Sequence, residues 1–188
     1  MTEEPVDGRL ARGKLKRAAI IEATLRVVER DGVGSVTHRA VAREAGVSTG
    51  SATYYFATLD ELLEAALTAA SEDYGQQLQA VVERGVGELE AVARLIADAG
   101  GPGRTRALAE RELNLMAARR PALRPAARHW RDRVAQMARG YTDDPARVRE
   151  VVSTADGLCN QLLLGELVLD EHEVADLLRR ALGGAAPA

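Results

Sequence analysis

Residues 36–63 read VTHRAVAREAGVSTGSATYYFATLDELL, and they divide into three helix starts separated by two stops. Thr37 is placed to cap the free N–H groups of a helix that runs to about Ala45. Gly46 then accepts the left-handed conformation that closes a helix C-terminus. Ser48 repeats the capping device for a short helix through roughly Tyr55, so two short helices are joined by a turn of about three residues containing glycine. That spacing is the spacing of a helix-turn-helix. Thr58 and Glu61 form a capping box, in which hydroxyl and carboxylate satisfy each other's backbone donors, and a longer helix begins there.

Upstream, Leu15, Ala18, Ile21, Leu25 and Val28 recur every three or four residues, which predicts a helix from about Arg12 to Arg30. Gly32 ends it, and Gly34 gives a second flexible position. Downstream, the helical pattern that starts at Thr58 continues through Leu62, Leu63, Ala66, Leu67, Ala70, Leu78 and Val82. Punctuation at Gly85, Gly87, Gly100 to Gly103, Pro121, Thr142 to Pro145 and Asp170 divides the rest into five segments, the last two spanning Ala146 to Leu169 and Glu171 to Leu182. The expected fold class is all-α with about nine helices. Its parts are a flexible arm over 1–11, a helix-turn-helix domain over 12–57, a helical body over 58–183 and a flexible tail over 184–188.

Composition agrees. Apolar residues make up 46% of the chain and charged residues 28%, enough for a sizeable core, and the apolar share is Ala, Leu and Val without alternating β-patterns. The lone Cys159 makes no internal disulfide, and no Cys/His set has metal-ligand spacing, so no metal and no cofactor is expected. The N-terminus lacks an apolar leader core and no run reaches a membrane span, which predicts a cytoplasmic protein with no membrane partner. His38, His129 and His172 lie on separate segments, Cys159 has no evident base partner and no phosphate loop follows a strand, so no catalytic residues are assigned.

The net charge of −3 is unevenly spread. Gly8 to Thr58 carries nine Lys/Arg against four acids, whereas the chain from Leu59 onward carries sixteen bases and twenty-one acids. A basic head on an acidic body fits a head that meets phosphates, although a solvated basic helix face is the plain alternative. The chain has six aromatic residues, and three of them, Tyr54, Tyr55 and Phe56, are consecutive. One helical turn cannot bury three adjacent rings on one face. If Phe56 packs inward, Tyr54 and Tyr55 reach the surface, where their hydroxyls suit phosphate oxygens, unless Tyr54 also turns in.

These features together resemble the N-terminal domain of the TetR family of transcriptional regulators. The resemblance covers roughly Lys14 to Leu67 and rests on Gly32, the Ala42 to Gly46 turn entry, Val47, the Tyr-Tyr-Phe ending and the Asp-Glu-Leu-Leu start of the fourth helix. It implies a homodimer with a DNA-binding head and a body that binds a small-molecule effector. It implies double-stranded DNA as a partner, with an approximately palindromic operator, and a repressor released by the effector. A helical adaptor that binds protein rather than DNA is the alternative.

Carried over by position, the DNA-binding residues are Thr37, His38, Arg39, Ser48, Thr49, Gly50, Ser51, Thr53, Tyr54, Tyr55 and Thr58. Arg39 is a long cation able to span guanine O6 and N7, and Gly50 leaves no side chain between helix and groove. Leu59 departs from the family, which usually places Lys there to reach a phosphate. Either Arg9, Arg12 and Lys14 compensate from the arm, or the arm is an idle solvated tail. In the body, Glu110, Asn114, Trp130, Asp156 and Asn160 are the expected effector-pocket residues, with Asp156 and Asn160 one turn apart; the plain alternative is that they satisfy backbone or line an interface. The resemblance places the dimer interface on the last two helices, at Val152, Leu158, Leu162, Leu163, Leu167, Val174 and Leu178.

Overall fold

The computed structural model describes residues 6–184, without the side chains of residues 6–9 and Tyr74. Among the described residues there are nine α-helices, two short 3₁₀ turns and no strand, as the all-α expectation requires. The helices are α1 (Val6–Asp31), α2 (His38–Ala45), α3 (Thr49–Tyr55), α4 (Leu59–Val82), α5 (Glu88–Asp98), α6 (Arg104–Met116), α7 (Arg124–Arg139), α8 (Pro145–Leu164) and α9 (Glu171–Ala181). The 3₁₀ turns are Val33–Ser35 and Pro121–Leu123.

Local chemistry sets the boundaries in the head. The Thr37 hydroxyl accepts from the Ala40 N–H and the Ser48 hydroxyl from the Ser51 N–H, each filling a donor left open at a helix start. Gly46 closes α2 at φ 66°, in the left-handed region where a side chain is strained. Thr58 and Glu61 form the complete capping box of α4.

Two apolar cores follow. The first gathers Ile20, Ala23, Val27 and Val28 of α1, Val41 of α2, Phe56, and Leu62, Leu63 and Leu67 of α4, and it also takes in Ala109 and Leu113 of α6 and Leu123. The second is built from Leu78 and Val81 of α4 with α5, α7, α8 and α9. α4 therefore belongs to both cores, and α6 packs its apolar side into the head's core rather than into the body's alone. Fully burying each such Leu or Phe contributes about 1.5 to 3 kcal/mol, so the leucines of α4 and α6 add to the stability of the head.

Several expectations are corrected. α1 begins at Val6, so the part of the expected arm over residues 6–11 is helix; residues 1–5 and the tail over 185–188 lie outside the described residues. α8 stops at Leu164, because Gly165 takes φ 71° and turns the chain, and Leu167 lies in the connection to α9. The expected interface residues Leu158, Leu162, Leu163, Val174 and Leu178 are all buried inside the chain's own core. Val152 and Leu167 are half-buried against that same core. An apolar stripe reads alike whether its cover is the same chain or a second copy, and here the same chain covers it.

Candidate nucleic-acid interface and body cavity

α3 is held by what it buries. Ala52 and Phe56 point into the head, 0% and 2% exposed, so Thr49, Gly50, Thr53 and Tyr54 face outward. Tyr54 is 82% exposed and meets the edge of the half-buried Tyr55 ring at a centroid distance of 5.2 Å. Ser51 is half-buried, while Thr37, Arg39, Ser48 and Thr58 are exposed.

The His38 ring is half-buried at the junction of α2 and α3. Its Nε2 lies 2.8 Å from the Phe56 carbonyl oxygen, which can only accept, so Nε2 carries the proton and donates it. The ring braces the start of α2 against the end of α3, leaving Nδ1 as its remaining polar atom. The Arg17 guanidinium stacks 4.8 Å from the centre of the Phe56 ring, and α4 begins three residues after that phenylalanine. The start of α2, the end of α3, the start of α4 and the N-terminal part of α1 thus meet around Phe56.

The hydroxyls on this surface are not equivalent. Those of Thr37, Ser48 and Thr58 accept backbone N–H bonds, so their own protons are free to be donated to an anionic oxygen. Thr53 donates its proton to the Thr49 carbonyl at 3.0 Å, which leaves it an acceptor and a methyl group toward solvent. Such a residue matches an exocyclic amine or a thymine methyl, not a phosphate.

Charge is sorted along α1. Glu44 of α2 accepts from Arg26 at 3.0 Å and from Arg30 at 2.9 Å, and these two guanidinium groups, Arg30 first, hold its carboxyl below the ordinary range. Lys14, Lys16, Arg39 and Arg43 are exposed and carry no ion pair among the described residues.

In the body, a small cavity of about 40 Å³, partly open to solvent, lies between α5, α6, α7 and α8. Glu110, Asn114, Trp130 and Asp156 line it together; Asn160 does not and points to solvent. On α8 the row facing the cavity is Asp156, Cys159 and Leu163, spaced by three and four residues. Asp156 is held by Arg131 Nε at 2.5 Å, with Arg111 Nη1 at 4.0 Å. The Asn114 side-chain oxygen is buried without a hydrogen-bond partner in the protein. Burial pushes the Cys159 thiol up to about 12, so it is neutral.

The sequence reading missed Arg111, Arg131 and Cys159, since an arginine on an amphipathic helix looks like any solvated cation. It also missed Glu112, whose carboxylate accepts from the Val33 backbone N–H at 2.6 Å across 79 residues of chain. Glu112 sits between the cavity residues Arg111 and Asn114 in sequence but leaves α6 toward the head. A second strut joins Arg120 to Asp60 in the first turn of α4.

Residues 20–66 match the family model of bacterial regulatory proteins, tetR family, and residues 84–184 match that of the tetracyclin repressor-like C-terminal domain. Among solved structures, the chain is similar to the multidrug binding protein EbrR complexed with ethidium, at 39% identity over 88% of this chain and 97% of that one, with a TM-score of 0.74. A member of the TetR family from Streptomyces coelicolor A3 is also 39% identical, covering 88% of this chain and 97% of that one, with a TM-score of 0.76. Among curated proteins, the HTH-type transcriptional regulator BetI of Paraburkholderia phytofirmans is 35% identical over 68 residues, which is 36% of this chain and 35% of that relative's length. The chain thus spans about a third of the length of the curated relatives it matches and nearly all of the similar solved structures.

Proposed function

The chain belongs to the TetR family of bacterial regulatory proteins, and on that premise we propose that it is a sequence-specific DNA-binding transcriptional regulator whose body takes a small-molecule effector. The observation that carries this is the outward face of α3, polar along its length and locked from behind by Ala52 and Phe56. Arg39, Thr49, Ser51 and Thr53 meet base edges. Thr37, Tyr54, Tyr55 and Thr58 donate to phosphates, and the starts of α2 and α4 add their backbone N–H groups.

The protein acts as a homodimer. With the expected leucines committed to the core, the outer faces of α8 and α9 remain for the partner copy, together with Leu164 at 63% and Val168 at 94% exposure. A two-fold dimer reads an approximately palindromic operator.

The effector is a cation with an aromatic ring system, the kind of molecule with which EbrR was solved. Trp130 supplies a ring face, Glu110 a carboxylate, Asp156 a second one once the cation displaces Arg131 and Arg111 from it, and the unpaired Asn114 oxygen accepts an N–H. A cation that draws Asp156 away from Arg111 shifts α6, and Glu112 carries the shift to the turn after α1. Useful coupling of this kind needs about 1 to 3 kcal/mol of differential affinity between the two states. The regulator is thus a repressor that the effector releases from DNA.

The test is fluorescence anisotropy of the full chain on a duplex taken from beside its own coding region, at rising salt. Binding that weakens with salt and is lost on Arg39→Ala supports the proposal. No binding at low salt refutes it and leaves the protein-binding adaptor.

A further inference from the structure

We infer that the N-terminal part of α1 is a second DNA-backbone contact, in which Lys14 and Lys16 meet phosphates beside the recognition helix. This rests on the DNA-binding reading above and adds a surface to it.

Position comes first. A Cβ built on Gly13 would stand 3.7 Å from the Tyr55 hydroxyl, and Arg17, one turn on, lies over the Phe56 ring. The face of α1 that carries Gly13 and Arg17 is therefore laid against the corner where α2 starts, α3 ends and α4 starts. Successive helix residues are rotated by about 100°, so Lys14 and Lys16 leave α1 on opposite flanks of that face. They therefore lie to either side of the face that meets the Tyr55 hydroxyl at the end of α3.

Charge is the second observation, and it is independent of the first. Farther along the same helix, Arg26 and Arg30 are neutralised by Glu44, with Glu22 and Asp31 adding to the set. Lys14 and Lys16 are exposed, and no carboxylate meets them among the described residues. The helix thus spends its distal cations on its own fold and leaves its proximal ones to an external anion.

Rigidity is the third. α1 runs unbroken from Val6, so these lysines project from helix rather than from a loose arm, and less backbone freedom is lost when they bind. Leu59, at the start of α4, packs half-buried against the head's core and offers no charge there.

The occupant is the sugar-phosphate backbone of double-stranded DNA, so the contribution is independent of base sequence. The experiment compares the wild-type chain with Lys14→Gln, Lys16→Gln and the double variant by anisotropy on a mixed-sequence duplex and on the duplex from beside the coding region. Gln keeps helix propensity at an exposed site, and circular dichroism melts check that the fold is intact. Each substitution is expected to reduce the slope of log K against log salt by about 0.9 and the double variant by about 1.8, equally on both duplexes. Arg139→Gln with Arg149→Gln, exposed at the far end of the body, serves as a charge-matched control and should keep the wild-type slope.

A double variant with the wild-type slope overturns the inference, as does a control pair that lowers the slope equally, since then only net charge is being read. A wild-type chain that binds neither duplex overturns the DNA-binding reading itself, and this inference with it.

Discussion

Replacing Glu112 with Ala removes the carboxylate that reaches from α6 to the half-buried Val33 N–H at 2.6 Å. Hydrogen bonds to charged groups contribute about 1.5 to 3 kcal/mol, and partial solvent access puts this one near the lower end. A chain of this size loses about 2 to 4 °C of melting temperature per kcal/mol, so Glu112→Ala should melt about 3 to 6 °C below wild type. Glu112→Gln keeps a carbonyl oxygen facing the amide without the charge, and should lose roughly half as much. Beside the missing Cβ of Gly32 the carboxylate oxygens stand at 3.5 and 3.7 Å, so the change opens no large apolar void that could mimic the effect. Circular dichroism melts measure the stability, and amide hydrogen exchange at Val33 localises it: protection there should fall by about tenfold for each 1.4 kcal/mol lost while the α9 amides keep theirs. A Glu112→Ala chain that melts with the wild type would show that the bond adds no stability, and indistinguishable Ala and Gln variants would assign the loss to packing instead of to the hydrogen bond.

Gly46→Ala places a Cβ in open space but at φ 66°, so it should cost about 1 to 2 kcal/mol from backbone strain alone, visible as a lower urea midpoint, with Gly46→Asn recovering part of it. Cys159, raised to about 12 by burial, should resist thiol reagents at pH 8 in the folded chain and react once urea unfolds it. Its folded value lies above the unfolded one of about 8.5, so the stability it contributes is fully present below that pH and is lost as pH rises through the folded value; Cys159→Ala should flatten the alkaline limb of a pH-stability curve. Leu59→Lys should trade some contact with the head's core for a phosphate contact, lowering the melting temperature while steepening the salt slope of DNA binding by about 0.9.

What the sequence made legible was local. Thr37, Ser48, Thr58 and Gly46 act on neighbours within four residues, so their caps and stops can be read without knowing the tertiary fold. The α1 start was hidden because residues 6–11 carry a glycine and no apolar periodicity, yet the chain stays helical there. The end of α8 was hidden by the apolar run from Leu162 to Leu169, within which Gly165 alone turns the chain. Periodicity identified Leu158, Val174 and Leu178 as residues that need cover but held nothing about whether that cover is α5 or a second copy. In the cavity, four of the five expected residues line one space, each read from its place on an apolar helix face; Asn160, one turn along α8 from Asp156, lies off the row that Asp156, Cys159 and Leu163 define. Glu112 had no local signal at all, because its partner is a backbone N–H in the head.

The central claim is that α3 and the start of α2 read DNA sequence, one copy of the head per half-site. Selection of bound duplexes from a randomised pool by the full chain tests it most directly. Enrichment of an inverted repeat with half-sites about one helical turn or a multiple of it apart is expected, with relaxed preference at one symmetric pair of positions for Arg39→Ala. A pool that stays random through successive rounds, or an enriched site with no symmetry that Arg39→Ala leaves unchanged, would contradict it.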